Sequence, residues 1–143
     1  MKRKALAITL AAAMAMGTYA VTASAADGDK YTIGICQLVQ HEALDAATQG
    51  FKDEVTKELG EDAVTFDEQN AQGDSNTCST IINSFVSNNV DLILANATPA
   101  LQAAAAGTSD IPILGTSVTE YGVALGLDDF DGTVGGNISG TAD

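Results

Sequence analysis

Positive charge is scarce in this sequence. Lys and Arg together number 6, against 19 Asp and Glu, and the formal net charge at pH 7 is −13. A surface this acidic repels the phosphate backbone of nucleic acids and the headgroups of anionic lipids. We therefore expect neither nucleic acid nor a membrane surface as a partner. The acidic residues are spread singly or in pairs, which favours a solubilising surface over an acidic recognition tail.

Metal-site and phosphate-binding motifs are also missing. The sequence has one histidine and two cysteines, and neither cysteine belongs to a Cys-x-x-Cys unit, so no zinc-site spacing is present. No Gly-x-x-x-x-Gly-Lys loop occurs. The glycines between Gly132 and Gly140 lack both the preceding apolar strand and the following helix that a dinucleotide fingerprint requires. We predict no metal ion and no cofactor.

Cys36, His41 and Asp45 are the one combination that suggests a nucleophile, as in a secreted hydrolase. Cys36 is expected to face packed structure, and nothing in the sequence indicates an oxyanion hole. We therefore expect a protein that is not an enzyme. The hydrolase alternative predicts that Cys36→Ala abolishes an activity.

The N-terminal apolar run is too short to span a bilayer. Ala5 to Ala20 is about 16 residues long, many of them only alanine, whereas a membrane span needs about 20 strongly apolar residues. The run follows a positive segment, Lys2 to Lys4, and precedes the small residues Ala23-Ser24-Ala25. This pattern predicts a secretory signal peptide over residues 1–25, cleaved after Ala25, and a periplasmic or otherwise extracytoplasmic mature domain over residues 26–143. No cysteine stands at the cleavage site, so we expect a mature protein without a lipid anchor.

Two hydrophobic periods alternate along the mature chain. Apolar runs typical of buried strands are followed by stretches in which apolar residues recur at helical spacing. The predicted strands are Tyr31 to Leu38, Ala63 to Phe66, Val90 to Ala95 and Ile111 to Leu114; the predicted helices are Glu42 to Leu59, a second one that follows Asp74, and a third from Thr98 through Ala106. This alternation predicts an α/β fold, a doubly wound parallel sheet with strand order 2-1-3-4-5. Beyond Ser117 no convincing helix is predicted.

Residues with strong positional preferences mark the ends of these elements. Gly60 is expected to end the first helix, Asp74 to cap the second, and Thr98 to cap the third, with Pro99 at its first helical position. Pro112 predicts an edge or strand-start position for the fourth strand.

The strand order takes the second helix across the first strand, where Cys36 and Cys78 could approach each other. Two buried free thiols are favoured there over a disulfide.

Four loops are expected at the carboxyl edge of the sheet, where open parallel sheets bind ligands. They are Gln37 to Glu42, Gln69 to Asp74, Asn96 to Pro99, and Ser117 to Tyr121. Their amide and hydroxyl groups suit a small polar molecule. Thr98 is the strongest candidate, because its hydroxyl and the N–H groups opening the third helix could hold a carboxylate; the alternative is that Thr98 only caps its own helix.

Four segments, in order along the mature chain, resemble the substrate-binding proteins of ABC transporters in the family that includes tryptophan and tyrosine binders, which has the type I periplasmic-binding fold. The segments are Ile35 to Asp45, Gln69 to Asp74, Ala97 to Ala100, and Gly136 to Asp143. Glu42 departs from the pattern, since the family usually has proline there. This departure implies a less rigid loop and an extra negative charge near the cleft.

The resemblance implies the extracytoplasmic solute-binding component of an ABC importer. Family members have two lobes that close on the ligand, so residues 26–143 would be an incomplete, flavodoxin-like N-terminal lobe with the second lobe missing. The implied ligand is an amino acid, with aromatic ones among the candidates, or a similar small polar solute. The implied partner is a membrane permease, and the full-length protein is expected to be a monomer. The ligand contacts that the resemblance implies are Gln37, Gln40, His41, Asn96, Thr98, Ser117 and Thr119.

Two points remain open in this interpretation. His41 is either a solvated or capping residue or a ligand contact. Tyr121 is the one aromatic residue in the four loops, so stacking on an indole or phenol would have to come mainly from the other lobe.

A different class of function is a sensor or docking module of the same fold that presents its ligand to a receptor. A neighbouring histidine kinase gene, in place of permease and ATPase genes, would favour this alternative.

Overall fold

A computed structural model describes residues 29–143, so the predicted signal peptide over residues 1–25 lies outside the described part. The strands are β1 (Tyr31–Gln37), β2 (Val64–Asn70), β3 (Leu92–Asn96), β4 (Ile113–Val118) and β5 (Ile138–Ala142). The helices are α1 (Glu42–Leu59), α2 (Ser75–Ser87), α3 (Thr98–Gly107) and α4 (Tyr121–Leu125), and a short 3-10 turn spans Glu61–Ala63. Within residues 29–143, no helix is both long and apolar enough to cross a membrane.

The five strands form one parallel sheet in the order β2-β1-β3-β4-β5. This arrangement confirms the predicted doubly wound α/β fold and the order of the four predicted strands; β5 lies in a stretch where no strand was predicted. The strands also end level with one another. Gln37, the last residue of β1, is paired with Asn70 of β2 and Asn96 of β3, and Asn96 is paired with Thr116 of β4.

Each face of the sheet has its own apolar cluster, because successive residues of a strand point to opposite faces. On one face, Phe51 of α1 packs against Ile35 and Leu94. The other face carries the larger cluster, in which Phe85 of α2 and Leu101 of α3 are fully buried. The predicted bounds of α1 and the inward stripe of α2 are confirmed, with Val86 of that stripe half-buried. Gly60 follows α1 and Asp74 caps α2, as expected.

The second strand is longer than the apolar pattern predicted. β2 continues to Asn70 instead of ending at Phe66, so Gln69 and Asn70 lie on the strand and not in the following loop. β2 is an edge strand with one pairing partner, and its outward positions face solvent. Polar residues are therefore tolerated there, and the end of the apolar run did not mark the end of the strand.

The C-terminal part of the chain also differs from the prediction. β4 begins after Pro112 and lies between β3 and β5, so Pro112 marks a strand start and not an edge strand. The short helix α4 occurs where none was predicted. The carboxylate of Glu120 accepts hydrogen bonds from the N–H groups of Gly122 and Val123, at 2.8 and 2.6 Å. A helix of this length depends on that cap and shows no hydrophobic period.

Gly34 provides the first testable prediction, because β1 and α2 approach closely at this residue. A Cβ added at Gly34 would lie 2.6 to 2.9 Å from three carbons of the Phe85 ring. Overpacking of this kind costs about 1–3 kcal/mol, so Gly34→Ala should lower the free energy of unfolding in urea by that amount. Gly50→Ala is the matched control, because a Cβ there meets nothing within 4 Å and removing a helix glycine gains up to about 1 kcal/mol. Equal effects of the two substitutions would contradict the packing.

Candidate ligand-binding site

The carboxyl edge of the sheet brings the four polar loops together, as the sequence predicted. Backbone hydrogen bonds tie neighbouring loops to one another. The N–H of Leu38 donates to the carbonyl of Asn96 at 3.2 Å, and the N–H of Ala71 donates to the carbonyl of Gln37 at 2.9 Å. Further along the edge, the N–H of Ala97 donates to the carbonyl of Thr116 at 3.0 Å. The loops therefore form one continuous edge.

A buried polar network underlies this edge and fastens α1 to the strand ends. The hydroxyl of Thr48, in α1, donates to Oε1 of Gln37 at 2.7 Å and accepts from Nδ2 of Asn96 at 2.9 Å. Gln37 is 4% exposed, Thr48 3% and Asn96 0%. Nε2 of Gln37 also donates to Oδ1 of Asp45 at 2.6 Å. Gln37 and Asn96 therefore hold the scaffold of the site and present little surface to a ligand.

The orientation of the Asn96 amide follows from its partners. Nδ2 donates to the carbonyl oxygen of Leu44 at 2.8 Å, and a carbonyl can only accept, so the nitrogen must lie on that side. Oδ1 then points elsewhere, and it is the one buried side-chain polar atom without a hydrogen-bond partner among the described residues. Leaving such an acceptor unpaired costs about 1–3 kcal/mol. The edge thus contains an acceptor whose bonding capacity is unmet.

Thr98 occupies a different position from the predicted one. The helix begins at Thr98 itself and its N-cap is Ala97, whose side chain makes no capping hydrogen bond, so the assignment of Thr98 as N-cap is wrong. The reason is that β3 runs to Asn96 and the chain turns into the helix at Ala97. The first helical hydrogen bond joins the N–H of Leu101 to the carbonyl of Ala97. The N–H groups of Thr98 and Ala100 precede it and have no acceptor within the helix.

The backbone is strained at this edge. Ala97 has φ 91°, Ser117 φ 55° and Gln72 φ 54°, in the left-handed region that non-glycine residues seldom adopt. The other two such residues, Asn89 and Asp129, lie elsewhere. Strain of this kind costs about 1–3 kcal/mol per residue and clusters at ligand clamps and active sites. Neither alanine nor serine has a preference for positive φ, so the residue types did not indicate strain at Ala97 and Ser117.

The remaining candidate residues lie on the surface of the edge. Gln40, His41 and Thr119 are exposed, and Ser117 is half-buried. His41 is the N-cap of α1, where its Nδ1 accepts from the N–H of Ala43 at 3.2 Å, which confirms the capping alternative and leaves Nε2 for another partner. Ser117 lies within β4, at the irregularity between Gly115 and Val118, and not in the loop that follows. These four side chains form the rim of the site.

Tyr121 does not present an open ring to this edge. Its side chain is packed over β4 and β5, the residue is 6% exposed, and its hydroxyl donates to the carbonyl of Thr141 at 3.1 Å. A depression of about 540 Å³ runs beside β5 and is lined by Thr119, Tyr121, Phe130 and residues of β5. Of the candidate residues it includes Thr119 alone. The depression therefore adjoins the strand-end site at Thr119 and otherwise extends along β5.

Neither catalytic thiol chemistry nor a metal centre is favoured by the arrangement. Cys36 is fully buried, and burial together with the neighbouring Cys78 thiol raises its pKa far above the usual range of a thiol. A thiol in that state is a poor nucleophile. In the described part of the chain, no three His, Cys, Asp or Glu side chains come close enough to hold a metal ion.

Comparison with known proteins places this geometry in a family. Residues 32–143 match the family described as ABC transporter substrate binding protein. The chain is 46% identical over 115 residues to a tyrosine-binding protein of Clostridioides difficile, a match that covers 78% of this chain and 32% of that protein. The chain thus spans about a third of that relative's length.

Two solved structures resemble the described residues closely. One is the ligand-free, open structure of a substrate binding protein with adhesive properties from Clostridium difficile, with a TM-score of 0.72 and 44% identity over 79% of this chain and 39% of the other. The second is an ABC domain in complex with L-Trp from Streptococcus pneumoniae, with a TM-score of 0.73 and 32% identity over 80% of this chain and 39% of the other.

Proposed function

The chain belongs to the ABC transporter substrate-binding protein family, and on that premise we propose that it is the extracytoplasmic solute-binding component of an importer of an amino acid. The observation that carries the proposal is the uncapped N-terminus of α3 at the shared edge of the strands. The tyrosine-binding relative and the L-Trp complex support an aromatic amino acid as the ligand. The proposed site requires neither a metal ion nor a cofactor.

The α-carboxylate of the ligand is the group that the α3 terminus would hold. Thr98 contributes its hydroxyl, and the N–H groups of Thr98 and Ala100 contribute donors at the positive end of the helix dipole. Gln40 and His41 on one side, and Ser117 and Thr119 on the other, supply polar contacts at the rim. Each lies on a loop or strand end of the same edge.

Gln37 and Asn96 position the elements of the site and do not contact the ligand in this proposal. Both side chains are engaged with Thr48 of α1, so their part is to fix where β1 and β3 end and where α3 begins. Asn96 Oδ1 is the one acceptor of the network that has no hydrogen-bond partner among the described residues.

Transport follows from closure of two lobes around the ligand. The described residues form one lobe with one wall of the cleft, and in the longer relatives the rest of the chain is available for a second wall. A closed, monomeric complex would then engage a membrane permease. The predicted signal peptide agrees with this location, because solute-binding proteins of importers work outside the cytoplasm.

The test is a thermal unfolding series with each of the twenty common amino acids, on this chain and on the longest chain that contains it. A ligand that binds only the folded state adds about 2.7 kcal/mol at a hundred times its Kd, which raises Tm by several degrees. We expect L-Tyr or L-Trp to raise Tm, and tyramine, which lacks the carboxylate, to have no effect. A panel without any shift would overturn the proposal.

A further inference from the structure

The pair Cys36 and Cys78 has no part in the proposed ligand contacts, yet its position is tightly defined. Both residues are fully buried in the same apolar cluster, and both are free thiols in the structure. Cys36 lies near the carboxyl end of β1, and Cys78 lies in the first turn of α2. The two thiol groups are neighbours, and each one affects the pKa of the other, although burial is the largest cause of the raised pKa of both.

Contacts on both sides of the pair fix this register of α2 on β1. Two residues before Cys36 on β1, Gly34 packs against the ring of Phe85, seven residues beyond Cys78 on α2. Immediately after Cys36, the carbonyl of Gln37 accepts from the N–H of Ala71 at 2.9 Å, which holds the chain that leads into α2. The backbone is therefore held on both sides of the pair, at Gly34 and at Gln37.

We propose that Cys36 and Cys78 close a disulfide when the chain folds in an oxidising, disulfide-containing environment. The bond would join the end of β1 to the first turn of α2, beside two of the four loops that form the candidate ligand-binding site. It would enclose roughly 40 residues of chain, a loop length at which cross-linking removes much of the entropy of the unfolded state. The disulfide would hold the end of β1 and the first turn of α2 together at the edge of the candidate ligand-binding site.

The oxidant is a small-molecule or protein disulfide, and the reaction is thiol–disulfide exchange. The Cys78 thiolate attacks one sulfur of the oxidant, breaking its S–S bond and releasing one thiol. Cys36 then attacks Cys78 in the mixed disulfide, forming the Cys36–Cys78 bond and releasing the second thiol. Two electrons pass from the cysteines to the oxidant, and the two thiol protons end on the two released thiols. The exchange takes place as the chain folds, before burial separates both thiols from the oxidant.

The test compares the equilibrium between thiols and disulfide in the folded and unfolded chain. The full chain is equilibrated with mixtures of reduced and oxidised glutathione, in native buffer and in denaturant, and free thiols are counted by alkylation and mass spectrometry after acid quenching. The free energy by which the disulfide stabilises the fold equals the free energy by which folding favours closure of the disulfide. We expect the equilibrium constant for closure to be about a hundredfold or more larger in native buffer, and Tm to be on the order of 10 °C higher for the oxidised chain.

Three variants make the result specific. Cys36→Ser and Cys78→Ser each retain one cysteine, so neither should lose its thiol to an internal bond or show the redox-dependent Tm. The double variant Cys36→Ala/Cys78→Ala should melt at one temperature in oxidising and reducing buffer. A closure constant in native buffer no larger than in denaturant, or glutathione attached singly to the cysteines of the folded chain, would overturn the proposal.

Discussion

Thr98→Ala is expected to weaken amino-acid binding by about tenfold to a hundredfold while leaving the free energy of unfolding unchanged. The hydroxyl of Thr98 is proposed to donate to the ligand carboxylate, and a hydrogen bond to a charged group contributes about 1.5–3 kcal/mol. The structure separates this role from capping, because the N-cap of α3 is Ala97 and no side chain caps the helix. Isothermal titration with the ligand that raises Tm measures the loss, and urea unfolding measures stability.

Two matched variants control the Thr98 experiment. Thr98→Ser keeps the hydroxyl and should bind within a few-fold of the unmodified chain. Thr80→Ala removes an exposed threonine of α2 whose hydroxyl donates to the carbonyl of Asn76, and it should leave affinity unchanged. If Thr98→Ala binds normally but loses about 1 kcal/mol of stability, the residue acts as a helix cap and the carboxylate site is wrong.

Thr48→Val is expected to destabilise the folded chain by about 3 kcal/mol. Valine has nearly the same shape as threonine but neither donates nor accepts. Oε1 of Gln37 and Nδ2 of Asn96 would both lose a partner inside the protein, and each unpaired buried group costs about 1–3 kcal/mol. Urea denaturation measures the change, and affinity should fall as well, because the ends of β1 and β3 are no longer fixed to α1.

Thr48→Ser is the informative comparison for this network. Serine keeps the hydroxyl and loses one methyl group, so it should retain most of the stability and affinity that valine loses. The site is 3% exposed, and a missing methyl there costs about 1 kcal/mol. If serine proves as harmful as valine, the hydroxyl is not what matters at residue 48, and the network does not hold the strand ends.

The sequence predicted those parts of the fold that depend on hydrophobic period and chain direction. The bounds of α1 were predictable because apolar residues recur at helical spacing over its whole length and Gly60 follows its last residue. The strand order followed from the right-handed crossovers that connect parallel strands. β2 was underestimated because an edge strand tolerates polar residues, and α4 was missed because five residues held by the Glu120 cap carry no period.

The candidate site was predictable in its location but not in its details. The edge was foreseeable because parallel strands end together. The roles of Gln37 and Asn96 were not, because a polar residue at a strand end looks the same in sequence whether it faces a ligand or an internal partner. Thr48 was overlooked for a related reason, although its place four residues after Leu44 lies on the inward side of α1. Ala97 adopts a positive φ that its residue type does not favour.

The central claim is that an amino acid binds at the carboxyl edge of the sheet, and amide chemical-shift mapping tests it most directly. The ¹⁵N-labelled chain is titrated with L-Tyr and with L-Trp. The account predicts that the perturbed amides cluster in residues 38–42, 97–101 and 116–120. It is contradicted if the perturbed amides fall at the opposite edge, in residues 29–32 and 108–112, if they fall in residues 130–142 along the depression beside β5, or if neither ligand perturbs the spectrum.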